Sequence, residues 1–329
     1  MTCPLLTLRY SYMTAKPKKR PAPDAGPSLR FDFNAAAKRA LKDHPELRGN
    51  MLFIHAGETK PDAHSDDLMM QGVDDDEIAD VEKMVRDAKR LKTSFHLAVS
   101  REDHKKSLGV LVFHPDKHSI FGAKPSPADD AGTFDHETGH ALISRTEGTL
   151  SENAADGFAA IRHFQRFDNA RENLEYAGWK RAAVAMLLGK TSHLTTFTID
   201  RIICDAEAAK FSSLKPAETK KIAEEYARKF TPSAKRLAKI SHDFAPLKKL
   251  PPQQAAEKLA AITLKARADS DTFYLGARVL AGAFRKGGLR LDGKKIDLSG
   301  EEHAQLRMKL KMKIEKMPKN HPLKKIVVL

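Results

Sequence analysis

The sequence predicts an α+β fold that is mostly helical, on three observations. Apolar residues recur with a period near 3.6 through almost all of the chain after residue 167. Short apolar runs of strand character are confined to residues 51–121. Proline, glycine and serine fall between the helical stretches. With 329 residues, 41% hydrophobic and 30% charged, the chain can bury a sizeable core in one large or two medium domains. The predicted division is a tail over 1–30, an α+β domain over 31–170, and an all-helical, basic region over 171–329.

Residues 1–30 crowd Lys16, Lys18, Lys19 and Arg20 among Pro17, Pro21, Pro23 and Pro27, a composition that buries nothing and reads as a disordered tail. The apolar run at 4–8 is too short and too poorly flanked for a secretory signal, so a cytoplasmic location is expected. A helix over 34–41 ends at His44-Pro45, because the residue before a proline leaves the helical region. Residues 51–55 read as a strand and 59–76 as a loop. That loop closes on Asp74-Asp75-Asp76, which cap a helix over 77–91 and complement its dipole without need of calcium. Strands follow at 94–100 and 108–114, with 118–121 as a hairpin partner across Pro115-Asp116-Lys117. Thr133 caps a helix beginning near Phe134, Gly148 breaks the chain, and 152–167 is helical again. Further helices are predicted at 171–188, 198–210, 216–229, 233–244, 252–268, 271–286 and 299–317.

The chemistry lies in His136-Glu137-Thr138-Gly139-His140 with Glu152 and Asp156 downstream. Residues four apart share one helix face, so His136 and His140 project toward a single point, as two imidazoles must to share a metal. Glu137 sits about 100° around the helix, placed to take a proton rather than to ligate. A hydrolytic zinc keeps three protein ligands and an open position for water, so two histidines are one ligand short. Glu152 is the candidate third ligand, because the Gly148 break lets the chain turn back. Asp156, one turn on, shares that face and is placed to accept the other ring N–H of His136. His163 lies farther along and faces a different direction. By chance, a His-Glu-x-x-His match arises in roughly 3% of chains of this composition and the downstream Glu-x-x-x-Asp in about 10%, so the first half carries most of the weight. The competing reading is an amphipathic helix whose histidines are surface or core residues.

At these residues the chain resembles the gluzincins, zinc metallopeptidases with an HExxH helix followed by an ExxxD helix. It is also similar to uncharacterised bacterial metallopeptidase-like proteins with a short insert between the two helices. The metzincin pattern is not met, since no third histidine soon follows Gly148. The resemblance covers roughly residues 50–170, about a third of the chain. It implies zinc as cofactor, His136, His140 and Glu152 as ligands, Glu137 as base and proton shuttle, and Asp156 as orienter. It further implies a zincin-like small sheet lobe whose last strand before the helix is an edge able to bind an extended peptide. The substrate implied is a peptide or protein, cleaved by a zinc-bound water that Glu137 activates; the specificity is not implied.

Hydrolysis of a peptide bond also needs a donor to the developing oxyanion. His193, in the polar run 191–196, is the first candidate, with Tyr176 and Tyr274 as alternatives; Trp179 reads as a core aromatic. Cys3 and Cys204 make no disulfide framework and read as free thiols of a reducing compartment. No run of eighteen apolar residues is present, so no transmembrane segment is expected. The net charge of +14 is uneven: residues 211–329 hold 27 Lys+Arg against 12 Asp+Glu, and residues 1–210 hold 30 against 31. That asymmetry gives a second reading, a nucleic-acid-associated or regulatory protein whose basic C-terminal region binds an acidic partner or nucleic acid, with a non-peptidase metal site. The region lacks the interleaved aromatics that stack bases, which favours a lysine-rich solvated surface. Glu137 argues against a purely structural zinc, which would close its coordination with a fourth protein ligand.

Overall fold

The computed structural model describes residues 31–102, 107–115, 126–143, 148–285, 289–291, 294–296 and 301–327. The expected tail at 1–30, Cys3 and the hairpin partner at 118–121 lie outside the described residues. The elements are α1 (Phe33–Asp43), β1 (Met51–His55), α2 (Ser65–Met70), α3 (Asp75–Leu91), β2 (Phe95–Val99), β3 (Leu108–Phe113), α4 (Pro127–Leu142), α5 (Gly148–Arg166) and α6 (Ala170–Leu187). They continue through α7 (Thr196–Ala209), α8 (Pro216–Phe230), α9 (Ala234–Phe244), α10 (Pro252–Lys265), α11 (Asp271–Arg285), β4 (Leu289–Leu291), β5 (Lys294–Ile296), α12 (Glu301–Glu315) and α13 (Pro322–Ile326). The class is α+β and mostly helical, as the periodicity predicts.

Four local expectations are corrected. The motif helix begins at Pro127, not near Phe134: Ser126 and Asp129 form a reciprocal capping box with Pro127 in the first turn, which leaves Thr133 in the helix interior. The returning helix starts at Gly148, one turn before the predicted 152. The loop over 59–76 contains α2. Finally, β4 and β5 pair as an antiparallel hairpin inside the region expected to be all helical. The Asp74 expectation holds, since its side chain accepts from the Glu77 amide and caps α3.

The three-stranded sheet has the order β1-β3-β2, with β1 parallel and β2 antiparallel to β3. β3 is apolar at nearly every position because it is buried on both faces. Val110 and Val112 pack with Ile78, Val81, Val85 and Ala88 of α3 on one side. Leu111 and Phe113 face Phe134 and Phe158 on the other. The last described strand before the motif helix is therefore central, and among the described strands the edges are β1 and β2.

Phe134 fixes α4 on the sheet: its fully buried ring lies 5.6 Å from Phe53, 5.8 Å from Phe33 and 6.3 Å from Phe113. The core beneath α4 and α5 also takes Ile199, Ile202, Ile203, Phe211, Ala223, Ala227 and Ile326. Packing thus runs straight across the division expected at residue 170. A second core gathers α6, α9, α10, α11 and α12 around Trp179, Phe273 and Phe244. Trp179 is buried there and donates to the Val279 carbonyl. Among the described residues no helix is long and apolar enough to cross a membrane.

Candidate metal centre

α4 and α5 form an antiparallel pair that brings His136 and His140 opposite Ser151, Glu152 and Asp156. Two ion pairs fix its register and its seat: Arg166 to Asp135 at 2.6 Å between the helices, and Arg162 to Asp43 of α1 at 2.7 Å. The approach is close because residue 139 is glycine. A Cβ there would stand 2.9 Å from Ala155 Cα and 3.2 Å from Ala155 O, both backbone atoms that cannot swing away. Gly139→Ala is accordingly expected to push the helices apart by a few tenths of an ångström and to weaken metal binding on the order of tenfold, read by chelator competition. An unchanged affinity would show that the pair can yield without cost to the site.

The two Nε2 atoms lie 3.1 Å apart, and the Glu152 oxygens reach them at 3.5 Å for His140 and 3.6 Å for His136. A tetrahedral ion with bonds of about 2.0–2.1 Å needs ligand atoms about 3.3–3.4 Å apart, and these spacings across the ligand triangle, one to each Glu152 oxygen, lie near that value. Among the described residues this is the one group of three or more His, Cys, Asp or Glu side chains with metal-binding geometry.

The atoms behind the ligands fix their chemistry. Asp156 accepts from His136 Nδ1 at 2.7 Å, which leaves the Nε2 lone pair facing the triangle. His140 Nδ1 lies 3.0 Å from Ser151 Oγ, and in the tautomer that donates to this hydroxyl its Nε2 lone pair faces the triangle as well. Burial lowers the His140 pKa to about 4, with His136 adding to the shift, so this imidazole is neutral. Burial opposes the charged form of His136 as well, but the Asp156 charge and hydrogen bond outweigh it and make the ring more basic. Glu152 is ionised: burial would raise its pKa, and the hydrogen bond from His193 with the positive groups nearby holds it below the ordinary range. Glu137 is buried beside the triangle without joining it. Burial raises its pKa, and Glu152 and Asp156 add to this against His136 and Arg181.

His193 is brought to the centre, donating through Nδ1 to Glu152 Oε2 at 2.9 Å. The two tyrosine alternatives are not brought there. Tyr274 spends its hydroxyl on buried Asp200 at 2.8 Å, and the Tyr176 ring lies tilted against Trp179 with centroids 5.4 Å apart. His163 is buried against Gly132 and Phe167, outside the ligand triangle. Cys204 is a free, half-buried thiol on α7, pushed up to about 11 by burial and Asp200.

Sequence reasoning misses four residues. Arg181 of α6 grips Asp156 with both ends of its guanidinium, Nε to Oδ2 at 2.7 Å and Nη2 to Oδ1 at 2.8 Å. Thr195 donates to the same carboxylate at 2.5 Å. Ser151 orients His140, and His96 of β2 stacks on His140 with centroids 6.4 Å apart and planes at 17°. The one legible signal is Arg181's place seven residues after the buried Leu174, on the same face of α6. Since Asp156 serves three donors, Asp156→Ala is expected to weaken metal binding roughly 10 to 100-fold. It should also cost about 1–3 kcal/mol of stability, discounted because Arg181 is partly solvated. Chelator competition beside a thermal melt of the metal-free protein reads both effects; an unaltered affinity would reduce Asp156 to a structural anchor.

Fold and site together define a mostly helical α+β protein whose antiparallel helix pair carries a two-histidine, one-glutamate cluster of metal-binding geometry. No protein-family model matches this chain, and comparison with curated proteins and with solved structures found no similar protein.

Proposed function

We propose that the protein is a zinc-dependent metallopeptidase of gluzincin type, with β1 to α5 as its zincin-like lobe. The observation that carries this reading is the convergence of three ligand atoms, spaced for a tetrahedral ion, beside a buried carboxylate that is not one of them. Two neutral-capable imidazoles and one carboxylate suit zinc, which when bound would supply a Lewis acid and acidify water.

The remaining work falls to the chain's own side chains. Glu137, with its raised pKa, is suited to take a proton from the attacking water and return it to the leaving amine. Asp156, held by Arg181 and Thr195, keeps the His136 ring in place. His193, held on Glu152, is the donor proposed for the developing oxyanion. Among the described strands β2 is the edge beside α4, and its His96 ring lies nearly parallel to His140 at 6.4 Å, so an extended chain pairing with β2 would lie along the metal centre.

Zinc-loaded protein should cleave members of a mixed peptide library, stop on chelation and resume when zinc is restored. A library left intact sinks the peptidase reading. Cleavage that survives chelation sinks the metal's part in it.

A further inference from the structure

The rim of the metal centre is basic on one side. α6 ends at Leu187, Gly189 turns the chain at φ +71°, and Lys190 leads into a single 3-10 turn, Thr191–His193, that sets His193 on Glu152. A second 3-10 turn, Ala245–Lys249, packs on this segment: a Cβ on Gly189 would stand 2.3 Å from Lys248 Cε and 2.5 Å from its Nζ. Lys248 therefore lies across the segment, with Lys249 beside it in the turn. Lys190 is three residues from His193, a span of at most about 10–11 Å.

Lys190, Lys248 and Lys249 are all exposed, and among the described residues none makes an ion pair. Some other cations of the same helical region are matched: Lys239 with Asp243, Arg236 with Asp271, Arg201 with Asp205, Arg228 with Glu224. Residues 187–194 and 244–250 contain no Asp or Glu to neutralise the rim. Leu188, the residue that caps α6 two positions before Lys190, is 43% exposed. The rim thus combines unpaired positive charge with an apolar contact. Its one aromatic, Phe244, is buried in the second core, so these segments present no exposed ring on which a base could stack.

We propose that this rim selects acidic peptide segments, so that the metal centre acts on chains carrying Asp or Glu within a few residues of the cleaved bond; this rests on the metallopeptidase reading above. Lys190, Lys248 and Lys249 are the specificity residues, and the net charge of +14 draws such chains from solution.

The test is binding, read apart from hydrolysis. Zinc-loaded Glu137→Gln protein is titrated with a dye-labelled Asp/Glu-rich peptide, with its Asn/Gln counterpart and with a single-stranded oligonucleotide, followed by anisotropy. Three proteins are compared: this one, the same with Lys190→Glu, Lys248→Glu and Lys249→Glu, and a charge-matched control with Lys309→Glu and Lys311→Glu on α12 and Lys316→Glu just after it. The rim variant should lose affinity for the acidic peptide on the order of tenfold, while the control stays within about twofold and the neutral peptide distinguishes none of them. Equal loss in both variants would make the effect one of overall charge and overturn the proposal. So would equal binding of acidic and neutral peptides, or rim dependence seen for the oligonucleotide alone. Rim-dependent acidic binding without cleavage by the native protein leaves the rim standing and removes the peptidase reading; cleavage with no acidic preference does the reverse.

Discussion

Glu137→Gln is expected to leave the metal bound and to slow peptide hydrolysis by at least about 10²-fold. The ligand triangle is made by His136, His140 and Glu152, so the substitution removes no ligand. It keeps the shape of the side chain and deletes its capacity to take a proton. Turnover measured beside elemental analysis of the same preparation gives the answer, and unchanged turnover would move the base elsewhere. A second consequence separates function from stability. A carboxylate whose folded pKa is raised by burial favours the fold while protonated, and the advantage is lost as pH climbs from the ordinary carboxylate range through the folded value. The glutamine carries no such penalty, so the metal-free variant should melt higher than the native protein near neutral pH. A lower melting temperature would show that the carboxylate makes stabilising contacts that an amide cannot.

The paired replacement His136→Ala with Glu152→Ala is expected to abolish metal binding, taking zinc from one ion per chain to background. Only His140 would remain of the triangle, and a lone imidazole held by Ser151 cannot compete with water for an ion. The loss should also appear as stability. Zinc at a hundred times its dissociation constant stabilises a folded protein by about 2.7 kcal/mol, so the native melting temperature should rise with added zinc and that of the variant should not. Full zinc occupancy in the double variant would place the metal at another set of side chains.

How much of this was legible in the sequence differs element by element. β1, β3 and the helices α6 to α12 are legible nearly to their ends, because an unbroken apolar run or a 3.6-residue period is a local property that burial enforces, whereas the five-residue α13 is too short to show a period and is not predicted. The start of α4 was misread because two capping signals compete: Thr133 precedes the apolar run, but Ser126-Pro127 with Asp129 makes a complete capping box two turns earlier. The interior placing of β3 was latent in its unbroken apolar run, yet strand order is set by pairings that spacing along the chain does not encode.

The same division runs through the site. The sequence by itself determined His136, Glu137, His140, Glu152 and Asp156, since helical geometry ties spacing to direction: four residues return to one face, and a glycine break lets the next helix answer the first. Only the tertiary structure decided that Arg181, Thr195, Ser151 and His96 stand around those five, and that Lys248 lies across Gly189 at the rim. Apart from Ser151 these residues come from other elements of the fold, β2, α6, the turn before α7 and the turn after α9. No helical or strand period relates them to the motif, and they meet it because both faces of the sheet and of α6 bury their apolar side chains at once.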